Sequence, residues 1–184
     1  MSFWPGLLLA VFIVSGVTLK LADFFGEKGG NILQYFSAAI SALTLGLLVS
    51  ESSYSSSIIL GIIFGVALSG KINRLNLVLG LVLTLLIAGI LGFQPPTLWL
   101  LIVVSTSSFI DEFLHDRFTE KKSCLKRFFR FRPILKLVMI SLAVLSFIEF
   151  IYALAFWSFD LAYDATDWLL VRREFKSAFD SSEE

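Results

Sequence analysis

Apolar and polar positions along the chain alternate as long apolar runs cut by short polar connections. A hydrocarbon core about 30 Å thick takes about 20 helical residues at 1.5 Å each. That ruler predicts a bundle of about six transmembrane helices, at roughly 3–22, 32–50, 54–69, 75–93, 97–110 and 133–159. Pro95 and Pro96 interrupt the chain before the fifth run, and Pro133 opens the sixth, where proline suits a first helical turn. The third and fifth runs are short, which calls either for shielding by neighbouring helices or for a re-entrant segment. Gly61, Gly65 and Ser69 recur every four residues in the third run, a small-residue stripe that favours close packing.

The longest polar segment, 109–132, separates the fifth run from the sixth. After the sixth, residues 161–184 form a juxtamembrane segment in which Trp168, Leu169, Val171, Phe175 and Phe179 are spaced for an interfacial helix, ending in a frayed acidic tip. The expected organisation is therefore an all-α integral membrane protein: a transmembrane domain over 1–160, then an amphipathic tail. The first run has neither a basic leader nor an evident small-x-small cleavage site, so a retained span anchored by Trp4 is expected.

Composition strengthens this reading. Hydrophobic residues make up 57% of the chain and charged residues 16%, and the mean hydropathy is +0.83, all outside the range of water-soluble domains. Lys plus Arg and Asp plus Glu balance at 15 each, so net charge points to neither a nucleic-acid nor an acidic partner. Arg127, Arg130 and Arg132 interleave with Phe128, Phe129 and Phe131, which beside a membrane reads as a belt touching anionic lipid headgroups. The single cysteine, Cys124, excludes an internal disulfide and a cysteine-based zinc site. An oligomer is compatible with everything in the sequence.

The distribution of charge orients the runs. Basic residues crowd the 111–132 loop, and with six crossings Lys20, Lys28, Lys71 and Arg74 fall on the same side, while the connections around 51–57 and 92–96 have none. This is the positive-inside pattern of a multi-pass cell-membrane protein with the 111–132 loop cytoplasmic and both termini outside. Arg172, Arg173 and Lys176 disagree with it, and a sixth segment that folds back would remove the conflict.

Candidate chemistry gathers on that face. Asp111, Glu112, His115 and Asp116 form DEFLHD, with Asp111 and His115 on one helical face and Glu112 and Asp116 on the next. They are candidate catalytic acids and bases, and Asp111 with Asp116 are candidate ligands for a hard cation such as Mg²⁺. The plainer reading is a solvated helix end. Lys20, Asp23 and Glu27 in KLADFFGEKGGN, and Lys71 and Arg74 in SGKINRLN, are candidate substrate-binding groups, the cations suited to an anionic headgroup. The glycine-containing segment lacks P-loop or dinucleotide-binding spacing. Glu149 is expected near the middle of the sixth span, where a carboxylate marks a cavity, ligand or proton path. Asp160 and Asp164, also candidate substrate-binding groups, and Asp167 continue its stripe, and Gln34, Ser37, Ser41 and Thr44 form a polar stripe on the second span.

Two function classes compete on this reading. One is an enzyme at the cytoplasmic interface, acting on a lipid or isoprenoid that carries a polar or phosphate head. The other is a small proton- or ion-coupled transporter using Glu149. A non-catalytic scaffold needs no special chemistry. The signature motifs of CDP-alcohol phosphotransferases, UbiA-like prenyltransferases and rhomboid proteases are absent.

Overall fold

A computed structural model describes residues 4–28, 32–119 and 132–180, with side chains described up to Arg117 and Arg172 in the second and third stretches. Cys124, most of the Arg/Phe belt, Gly29, Gly30, Phe175, Phe179 and the acidic tip lie outside those residues or side chains. The described chain is all helical: α1 (Pro5–Glu27), α2 (Ile32–Glu51), α3 (Ser53–Leu68), α4 (Leu75–Leu91), α5 (Leu98–Thr119), α6 (Pro133–Val144) and α7 (Phe150–Asp180). Three helices, Pro5–Glu27, Ile32–Glu51 and Leu98–Arg117, are long and apolar enough to cross a membrane. Ser53–Leu68, Leu75–Leu91 and Pro133–Val144 are shorter apolar helices.

Local chemistry sets several helix ends. Pro5 opens α1 and Pro133 opens α6, where the missing N–H is no loss. Ser52 caps α3 by accepting from the Ser55 amide at 3.2 Å. Gly92, with φ +102°, ends α4 in a left-handed conformation that a residue bearing Cβ adopts only under strain.

Small residues then fix which helices meet. A Cβ on Gly65 would fall 2.5 Å from the Ser108 Cβ, and one on Gly61 would fall 2.8 Å from Val104, so α3 lies tightly against α5. The stripe in the third run thus packs a helix. A Cβ on Gly16 would meet the Phe159 carbonyl at 2.3 Å, which brings α1 against α7. Phe12, Leu48, Ile58, Val104, Met139 and Phe156 are almost completely buried in the shared core between these helices.

Two boundaries depart from the sequence reading. The fifth run does not stop near residue 110: α5 continues to Thr119, so DEFLHD is helical instead of opening a loop. The sixth run is not one helix. It breaks between Val144 and Phe150, with Ser146 at φ +60°, and folds back. Lys136 near the start of α6 lies 2.6 Å from Asp160 on α7, while Phe147 at the turn packs on Trp99 at the other end of α5, with ring centroids 6.0 Å apart. The arms are therefore antiparallel, and α7 returns to the end where α6 began. Because Gly16 meets Phe159 and Lys20 meets Asp167, α7 runs parallel to α1.

Candidate functional site at the basic end of the bundle

Helix α1 brings Lys20, Asp23 and Glu27 to this end, one turn apart and inside the helix, not in the loop expected of KLADFFGEKGGN. The α3–α4 connection supplies Lys71 and Arg74. Asn76 anchors that connection by donating from its side-chain amide to the Ala22 carbonyl at 2.8 Å. Helix α5 supplies Glu112, His115 and Asp116, and Arg132 precedes α6. Tyr163, Asp164 and Asp167 follow one another along α7.

These groups are joined by ion pairs. Arg74 lies 3.1 Å from Asp23 and 3.2 Å from Glu27, and Lys20 lies 2.9 Å from Asp167 and 3.6 Å from Asp23. Lys71 bridges Glu112 and Asp116, at 2.8 Å from the latter, and Arg132 lies 2.7 Å from the other oxygen of Glu112. Burial opposes the charge on Arg132, but Glu112 above all, helped by Tyr163, Asp160 and Asp164, holds the guanidinium charged and raises its pKa. Tyr163 stands among these charges: its hydroxyl lies 3.4 Å from Asp23, and Lys20 and Arg132 sit over its ring at 5.1 and 5.5 Å.

The network encloses a polar vestibule of about 750 Å³ bounded by Lys20, Asp23, Glu27, Lys71, Arg74, His115, Asp116, Arg132, Tyr163, Asp164, Asp167 and Trp168. An apolar chamber of about 200 Å³ adjoins it, with walls from α1, α2, α3, α4 and α7 that include Ala38, Leu45, Ile63, Gly80, Leu81 and Phe159. Asp23, Lys71, Arg132 and Tyr163 line both spaces and form the neck between them. The Ser41 hydroxyl, 2% exposed on the chamber wall, has no hydrogen-bond partner among the described residues.

Of the residues predicted for the site, Lys20, Asp23, Glu27, Lys71, Arg74, His115, Asp116 and Asp164 share the vestibule, and Glu112 reaches the chamber. Three are placed elsewhere. Asp111 is 2% exposed, and its two oxygens accept from the amides of Ile134 at 3.0 Å and Leu135 at 2.7 Å, so it caps α6 from the side of α5. Asp160 is buried against Lys136 and lines neither space. Glu149 is exposed at the turn between α6 and α7, at the end of the bundle away from the vestibule, because the fold-back turns the expected middle of a span into a hairpin tip. Among the described residues no group of three or more His, Cys, Asp or Glu side chains is arranged to hold a metal ion, and the pairing of Asp111 with Asp116 for Mg²⁺ has no such cluster behind it. In the α2 stripe, Thr44 donates to the Ile40 and Ser41 carbonyls of its own helix, and only Ser41 reaches the chamber.

Arg132, Lys136 and Tyr163 were not among the expected site residues. Arg132 counted as one cation of the belt and Lys136 as the flank of a span, and only the fold-back brings them to α5 and α7. Arg132 also carries a signal in its backbone, a left-handed φ of 46° in a residue bearing Cβ, the kind of local strain that functional sites retain. Glu51, expected in an outer loop, is instead 6% exposed, with the Tyr152 hydroxyl 3.5 Å away.

Comparison with protein-family models, curated proteins and solved structures finds no match to the chain. Function is therefore read from the geometry of this end of the bundle.

Proposed function

We propose that the chain is a multi-pass membrane protein whose basic end faces the cytoplasm and acts there on a lipid or isoprenoid, its polar head in the vestibule and its chain in the apolar chamber. The observation that carries this reading is the neck: four residues shared by a charged space and an apolar one, in a protein with three helices long and apolar enough to cross a membrane. Water fills about 30 Å³ per molecule, so the chamber has room for about seven. That suits one segment of an alkyl or prenyl chain. His115 and Asp116, 3.4 Å apart at the vestibule wall, supply the acid or base of an enzyme. Lys71 holds Asp116 in place from the neck.

The fold-back adds a topological part. With seven alternating helices, the basic tail joins Lys20, Lys71, Arg74 and the 120–131 segment on the cytoplasmic side, and the conflict left by six crossings disappears. The transporter alternative loses its motive, since Glu149 does not border the cavity. The scaffold alternative draws support from the completeness of the ion pairing.

The test is occupancy of the chamber. Gly80→Leu projects a side chain toward Ala38, where a Cβ alone makes only ordinary contact at 3.7 Å. Native mass spectrometry of the detergent-purified protein is expected to show a bound single-chain lipid in the wild type and loss of it in the variant, while Asp116→Asn retains the lipid and loses turnover. Equal lipid content in wild type and Gly80→Leu would remove the chamber from the reading.

A further inference from the structure

We infer that the head group accepted by the vestibule is zwitterionic, an ammonium joined to a phosphate or carboxylate, which narrows the proposed function and rests on it. Every basic side chain on the vestibule wall among the described residues is already within ion-pair distance of a carboxylate: Lys20 with Asp167, Lys71 with Glu112 and Asp116, Arg74 with Asp23 and Glu27, Arg132 with Glu112. Every acidic one is matched too, Asp164 reaching Lys136 at 3.5 Å.

A ligand of one sign is therefore attracted by half of the wall and repelled by the other half. A simple anion draws Lys71 or Arg132 away from Glu112, a carboxylate only 2% exposed whose charge then has a weakened counterion and no water. A simple cation at Glu27 or Asp116 leaves Arg74 with Asp23 and Lys71 with Glu112, but those two bases beside it repel it and gain nothing in exchange. A head group with both signs exchanges partners without leaving a buried charge alone, its anion taking a base and its ammonium taking the carboxylate that base releases. The rim allows this most readily: Glu27 and Asp116 are 54% and 58% exposed, so an ammonium reaches them without further desolvation while the anion meets Arg74 and Lys71 just inside. Tyr163 and Trp168 also face the vestibule, and aromatic rings favour an ammonium over an uncharged head.

The experiment uses four single-chain amphiphiles of equal chain length, titrated into the purified full-length protein in nonionic detergent and read by intrinsic tryptophan fluorescence and thermal shift. They are a monoacylglycerol, a lysophosphatidate, an alkylamine and a lysophosphatidylethanolamine. The zwitterion is expected to bind about tenfold more tightly than either single-sign head, one decade of affinity being what a retained charge pair supplies. The double variant Glu27→Gln/Asp116→Asn, at positions exposed enough to leave folding intact, is expected to bring the zwitterion and lysophosphatidate to equal affinity. Lysophosphatidate binding to the wild type as well as the zwitterion, with or without Mg²⁺, overturns the zwitterionic assignment while monoacylglycerol binding keeps the amphiphile site standing. Absence of binding by all four removes both.

Discussion

Replacing Asp111 separates a cap from a catalytic or metal-binding carboxylate. Among the described residues the two α6 amides it accepts have no other hydrogen-bond acceptor, and Asp111 itself is 2% exposed, so water is a poor substitute for it. Asp111→Ala leaves two buried donors, each costing about 1–3 kcal/mol, partly relieved by local adjustment; a loss of roughly 2–4 kcal/mol follows. Asp111→Asn keeps a carbonyl oxygen aimed at the same amides and gives up only the attraction of a negative charge for the helix N-terminus, about 0.3–1 kcal/mol. It also removes a charge that burial disfavours, so its net change stays within about 1 kcal/mol. Reversible unfolding of the detergent-solubilised protein by titration with SDS measures both. Asparagine close to wild type and alanine far below it is the expected order. A catalytic or metal-binding Asp111 gives another pattern: both variants as stable as wild type and both inactive. That pattern would refute the capping assignment.

Other substitutions test the remaining features. Gly16→Ala drives a Cβ into the Phe159 carbonyl and is expected to cost about 1–3 kcal/mol, whereas Gly89→Ala, with nothing within 4 Å, should gain up to about 1 kcal/mol in the same assay. Glu149→Gln, at an exposed hairpin tip, should change stability by no more than about 0.5 kcal/mol and leave turnover intact; a loss of pH-dependent flux would restore the transporter reading. In a Cys124→Ser background, cysteines at Ser52 and Ser182 should be labelled from opposite faces of sealed vesicles. Labelling from one face would reject the seven-helix orientation.

The helices were legible because an apolar run of fixed length has few other uses, and the proline and glycine punctuation marked their ends well. The fold-back was legible only as an alternative, from the charge of Arg172, Arg173 and Lys176. Nothing local in VLSFIEF distinguishes a turn from the interior of a span: Leu145 and Phe147 are as apolar as their neighbours, and Ser146 takes its positive φ without the glycine that would have announced it. Without the turn, Glu149 falls at the middle of a span, where the structure puts it at a hairpin tip. The convergence of Lys20, Asp23, Lys71, Arg74 and Asp116 was readable from the charge bias alone, because that bias sorts loops onto faces. Which carboxylates would be consumed by the scaffold was not readable, since Asp111 and Glu112 are adjacent in sequence and differ only in what lies across from them: two backbone amides for one, two cations for the other.

The parallel contact between the first helix and the last sets an order of events during biosynthesis. Lys20 leaves the ribosome well before its partner Asp167, so the wall they share is completed only after every helix between them has been delivered to the bilayer. A product terminated before α7 would hold an open-sided groove, exposing Lys20 without Asp167 to quality-control proteases.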